Sequence, residues 1–377
     1  MDEIVLLRRM DKLVYWRKYF LNPVGIYSET VNHRGGGDDM KKGMWVTAAV
    51  LLFVGVVVLA GCESREKAKS GQEVRLTAKE IEQKAPVPSA KATQARKIAL
   101  VMKTLTNPFF VEMEKGARKA EQELGIELIV KTGASETSVE QQIAIIAEMT
   151  AQKVNAIVIA PADSAKLVPV LKKAQDAGIA LVNIDNRIFP DMAKKAGLVS
   201  VPFISVDNFK GAYLSAKYVS DKIKKTTRAA IIEGIRGAKN AEDRKQGALK
   251  AFKENPNITV VAMETANWKI DEGNAVAAKM FKNDPDIGVI FCANDMMAFG
   301  VLQYLEKNGK NNVLVAAYDA LGEAMDAIRA GRLQATIDQQ AALQGYLGVK
   351  TAVQLLNKQE VKPEVIVDVK LVTRENL

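Results

Sequence analysis

Residues 103–110, KTLTNPFF, gather a lysine, an asparagine, a proline and two adjacent phenylalanines in one short stretch. It follows the apolar run KIALVM and precedes the amphipathic VEMEKGARKAEQELG, so it reads as a strand-to-helix turn. Polar residues also stand at the ends of later apolar runs: Asp185, Asn294 with Asp295, Asp319 and Gln339. In open parallel sheets, ligands bind beyond the carboxyl ends of the strands. Asp and Asn also favour helix N-caps and turns, so each alone has a purely structural reading. The set, with Phe109 and Phe110 among it, points to a site. Asp, Asn, Gln, Arg and Lys can meet hydroxyls that each donate one hydrogen bond and accept two. Aromatic rings can cover the apolar C–H faces of a pyranose. Phe109 and Phe110 are expected to cover such faces, with Asn107 bonding the rim and Pro108 in the first helical turn. A hydrophobic plug between helix and sheet is the competing reading of the two rings.

Other chemistry is thinly represented. The one histidine, His33, lies far upstream of this region. Ser-His-Asp catalysis, imidazole base work and histidine metal sites are therefore not expected in the folded part. There is no Walker A loop, no G-x-G-x-x-G and no EF-hand loop; NDPD at 283–286 reads as a turn. No carboxylate pair stands out. The expectation is a binding protein, not an enzyme, with no cofactor and no metal.

The elements that must position these residues alternate regularly from residue 97. Apolar runs KIALVM, IELIV, NAIVIA, IALVNI, FISV, AAIIE, TVVAME, IGVIFCA, VLVAA and VIVDVKLV read as strands, most of them separated by helical stretches. Such alternation predicts an α/β fold with parallel sheets and right-handed crossovers. AIVIAPADSAKLVPVLKKAQDAG and GVIFCANDMMAFGVLQYLEKNG share a layout, which favours two related lobes over one large sheet.

The N-terminus carries a different signal. Lys41 and Lys42 precede the apolar Val46–Ala60, and the run ends in Leu59-Ala60-Gly61-Cys62. This predicts a lipoprotein signal peptide over 40–61, with Cys62 as the acylated mature N-terminus. Residues 1–39 sit oddly before a signal; RGGGDD just ahead of Met40 suggests that Met40 is the true start. Residues 62–96 are polar and read as a lipid-anchored flexible tether with a helical stretch near 77–84. Net charge is +9. The basic residues are dispersed among acids, a solvated surface with no nucleic-acid footprint.

KIALVMKTLTNPFFVEMEKGA resembles the opening of the ribose/allose-type periplasmic sugar-binding proteins, and the similarity runs from 97 to about 373. The resemblance implies a type I periplasmic-binding fold: two doubly wound parallel-sheet lobes joined by a three-crossover hinge, with a monosaccharide closed between them. The lobes would be 97–206 with 340–368, and 207–339 with 369–377. It also implies ligand-binding roles for Lys103, Asp185, Asn186, Arg244, Trp268, Asn294, Asp319 and Gln339. Ribose binders carry arginine where Asn186 stands; Arg187 follows, and the sequence leaves open which of the two enters the site. Lys103 leans towards the allose-like members and has Asp185 or Asp319 as possible ion-pair partners. The implied partners are a monosaccharide, an ABC permease with its ATPase subunit, and the membrane through Cys62, for an exported monomer. A polyol or inositol ligand, or a sensing role, would use the same scaffold.

Overall fold

The computed structural model describes residues 75–76 and 95–377. The segment read as a signal peptide, Cys62, the residues before Met40 and the stretch at 77–84 read as helical lie outside the described residues. Ten helices and thirteen strands lie within them.

The first sheet has seven strands. They are β1 (Arg75–Leu76), β2 (Lys97–Met102), β3 (Glu127–Thr132), β4 (Ala156–Ile159), β5 (Ala180–Ile184), β6 (Phe203–Val206) and β12 (Glu364–Val367), in spatial order β1-β12-β6-β5-β4-β2-β3. The second has six: β7 (Thr227–Glu233), β8 (Ile258–Thr265), β9 (Ile287–Cys292), β10 (Leu314–Ala316), β11 (Ala335–Asp338) and β13 (Lys370–Thr373), in order β13-β11-β10-β9-β7-β8. Apart from β1, the two orders correspond strand for strand. The two segments with a shared layout supply β4 and β9, which hold equivalent places.

Burial on both faces explains the composition of the central strands. Ile98 to Met102 and Ala156 to Ile159 are fully buried, as expected for parallel strands covered by helices. The covering helices carry apolar stripes. Helix α1 (Pro108–Leu124) buries Phe109, Phe110, Met113, Gly116, Ala117 and Ala120, and ends at Gly125 in the left-handed conformation. It packs on α10 (Ala341–Leu356) so closely that a Cβ at Gly116 would lie 1.7 Å from the Ala342 carbonyl oxygen. The other helices are α2 (Val139–Ala151), α3 (Val168–Asp176), α4 (Pro190–Lys195), α5 (Asn208–Ser220), α6 (Lys239–Lys253), α7 (Ile270–Asn283), α8 (Asp295–Lys307) and α9 (Gly322–Arg329).

The chain passes between the sheets three times: between β6 and α5, between β11 and α10, and between β12 and β13. Three features differ from the sequence reading. The apolar run VIVDVKLV breaks at Asp368 into strands on different sheets; β13 arrives without a crossover helix and pairs antiparallel with β11. ATID forms β11, a strand not anticipated. Within the segment read as tether, Arg75–Leu76 pairs in parallel with Ile366–Val367 at the sheet edge.

Candidate functional site

The strand ends of both sheets meet at one cavity. It is lined by Lys103, Asn107, Phe109, Phe110, Glu136, Asp185, Asn240, Arg244, Trp268, Asn294, Asp319 and Gln339, every one of them buried.

The first-sheet side is built from the ends of β2, β3 and β5. Asn107 caps α1 by accepting from the Phe109 N–H at 3.0 Å, and its amide donates to Glu136 Oε1 at 2.7 Å. The cap therefore uses part of the capacity expected for ligand. Phe109 and Phe110 pack edge to face, centroids 5.0 Å apart. Lys103 Nζ lies 3.0 Å from Asp185 Oδ2 and 3.9 Å from Glu136 Oε2. Of the two ion-pair partners considered for it, Asp185 is the one it meets. Asp185 holds φ 61°, a left-handed conformation that non-glycine residues rarely take.

The second-sheet side is built around Arg244. Its Nε donates to Asn208 Oδ1 at 2.8 Å and its Nη1 to the Ala293 carbonyl at 2.9 Å; Nη1 also lies 3.4 Å from Asp319 Oδ1. The guanidinium sits 3.7 Å from the Tyr318 ring centroid and 5.5 Å from that of Trp268. Gln339 Nε2 donates to Asp319 Oδ1 at 2.6 Å. Asn294 Oδ1 caps α8 through the Met297 N–H. Trp268 and Asp319 also have positive φ, 65° and 120°. Backbone strain of this kind concentrates at ligand sites.

Two cations and three carboxylates share this space. Burial raises the Glu136 carboxyl, against the pull of Lys103 and Asn107. Burial likewise pushes Asp319 up to about 7, although Arg244 and Gln339 act to lower it. Asp295, just outside the cavity, is raised by burial and by Asp319. Among the described residues, four cavity side-chain atoms have no hydrogen-bond partner within the protein: Asn240 Oδ1, Trp268 Nε1, Gln339 Oε1 and Asp185 Oδ2, which meets Lys103 only as an ion pair. Buried polar atoms are normally satisfied, so these are groups a polar ligand would satisfy.

Ten of the eleven residues anticipated for ligand line the cavity; Asn186 does not. Its amide donates to the Pro161 carbonyl at 3.1 Å and its Oδ1 accepts from the Asn240 N–H at 3.2 Å. Arg187 does not line it either; it pairs with Glu364 and stacks on Phe203. The sequence reading missed Glu136 and Asn240. Glu136 lies in the turn after β3, where the strand-end rule applied to GASET. Asn240 stands four residues before Arg244, on the same helix face.

A deep polar cavity with aromatic walls between two doubly wound lobes defines a small-molecule binding protein. Residues 98–360 match the family described as periplasmic binding protein domain, and the chain belongs to that family. It is 41% identical over 272 residues to the D-ribose/D-allose-binding protein of Pseudomonas aeruginosa, covering 71% of this chain and 84% of the relative. Identity to the D-allose-binding periplasmic protein of Escherichia coli is 36% over 267 residues, 70% of this chain and 86% of that one. A periplasmic solute-binding protein of an ABC transporter from Actinobacillus succinogenes, crystallised with bound D-allose, superposes with a TM-score of 0.71 at 40% identity. That match covers 74% of this chain and 98% of the other.

Proposed function

We infer that this chain is the extracytoplasmic solute-binding component of an ABC importer for an aldose of the ribose or allose type, and that it performs no chemistry on its ligand. The observation that carries the reading is the closed cavity, where aromatic rings and planar polar groups converge from both lobes. Phe109, Phe110 and Trp268 would cover the apolar ring faces. Lys103, Asn107, Asp185, Arg244, Asn294, Asp319 and Gln339 would bond the hydroxyls, joined by Glu136 and Asn240. A hydrogen bond to a charged partner contributes about 1.5–3 kcal/mol. The names of the similar proteins support an aldose. The lobes would comprise 97–206 with 340–368 and 207–339 with 369–377, closing as rigid bodies around the sugar.

Acylation at Cys62 would tether a monomeric protein to the membrane; the LAGC sequence alone supports this. Labelling with a radioactive fatty acid tests it: label lost in Cys62→Ser agrees, and label retained refutes it. For the ligand, a thermal-shift panel of aldopentoses, aldohexoses, ketoses and polyols is decisive. A ligand at 100 times its dissociation constant adds about 2.7 kcal/mol to stability. An aldose giving the largest shift supports the reading; shifts confined to polyols would replace it.

A further inference from the structure

Helix α6 begins without a cap of its own. Its N-cap residue is Ala238, which has no side-chain acceptor. The first N–H groups of a helix have no intrahelical partner and need one from elsewhere. Here they find it across the cleft. Lys239 N–H donates to Ser164 Oγ at 3.0 Å, and Asn240 N–H donates to Asn186 Oδ1 at 3.2 Å. Ser164 follows β4 and Asn186 follows β5, both of the first sheet; α6 packs on β7 and β8 of the second.

Both acceptors are fully buried and held in place. The Ser164 hydroxyl donates to Asn186 Oδ1 at 3.4 Å, while the Asn186 amide is anchored on the Pro161 carbonyl. The helix so capped carries Asn240 and Arg244 into the cavity.

We propose that Ser164 and Asn186 are positioning residues that form a closure clasp: they cap α6 in trans only when the lobes meet, and so hold Asn240 and Arg244 against the ligand. Parting the lobes breaks both bonds, because donors and acceptors belong to different sheets. The clasp slows ligand release without touching the ligand. This rests on the cavity being the ligand site described above.

The test is amide hydrogen exchange at Lys239 and Asn240 in the full chain, with and without D-allose as probe, paired with stopped-flow dissociation. Wild type is compared with Asn186→Ala and with Ala238→Ser, which gives α6 a cap from its own lobe. In wild type the Asn240 amide should exchange more slowly than in Asn186→Ala, and D-allose should widen the gap. Asn186→Ala should release D-allose roughly five- to tenfold faster, the fold-change of one lost helix cap. Ala238→Ser should raise the melting temperature yet also speed release, which a merely structural role for these residues would not produce. Equal exchange at Asn240 in wild type and Asn186→Ala with D-allose bound, or unchanged release in both variants, would overturn the clasp. If D-allose fails to bind wild type, the allose reading fails, and the same exchange and release comparison made with the sugar that most raises the melting temperature decides the clasp.

Discussion

Lys103 is a cation in a cavity proposed for a neutral ligand, and its neighbours explain it. With Asp185 at 3.0 Å and Glu136 at 3.9 Å, it offsets two buried carboxylates. Lys103→Met should therefore lower unfolding stability by about 3–5 kcal/mol, the cost of leaving buried charge unpaired; urea denaturation of the unliganded protein measures it. Asp185→Ala should weaken sugar affinity a hundredfold or more, read by calorimetry, and unchanged affinity would remove Asp185 from the site. Asp319 brings a pH dependence. Its folded carboxyl is raised to about 7, against about 3.9 in an unfolded chain. Between those values the folded state holds a proton that the unfolded chain has released. Its contribution to the stability of the unliganded protein is thus full below about 4 and is lost as pH rises to about 7. A sugar hydroxyl donates more strongly to the ionised form of Asp319 than to the protonated one, so affinity should fall as pH drops below about 7, by at most tenfold per unit. Titrations between pH 5 and 8 in buffers of different ionisation heat would reveal the released proton.

At the scale of elements, the strand-end rule made most of the site legible before the fold was known. KIALVM, LVNI and IFCA are buried apolar runs, and the first polar residue beyond each marks a place where the sheet ends. The rule misses a run too short and too polar to stand out, as in ATID. Thr336 of β11 is fully buried because its hydroxyl bonds Asp295 at 2.7 Å, and this hid ATID as a strand. It also cannot assign adjacent residues. Asp185 and Asn186 differ in direction because the left-handed turn at Asp185 sends one side chain to the cavity and the other towards α6. Trp268 depends on its neighbours in a way that only the packing reveals. A Cβ at Gly234 would meet its ring at 2.0 Å. Gly234→Ala should push the indole into the cavity, shift its emission and raise the dissociation constant at least tenfold. An unchanged spectrum and affinity would mean that the ring has room to retreat.

Across the whole molecule, alternation of strand and helix announced parallel sheets, but not the three crossings that join them. Those depend on where consecutive strands pair, and the break at Asp368 leaves no trace in the apolar pattern of VIVDVKLV. The crossings at 206–208, 338–341 and 367–370 leave the lobes free to hinge. Ligand bonded from both sides should favour closure, so small-angle scattering should show a smaller radius of gyration with sugar than without. An identical radius in both states would mean that the cleft is closed before the ligand arrives. Calorimetric titration with D-allose and D-ribose shows whether an aldose occupies the cavity between the lobes. Saturable binding of at least one of them, one sugar per chain, is the expected result. Absence of heat from both, at concentrations where other neutral monosaccharides are equally silent, would contradict it.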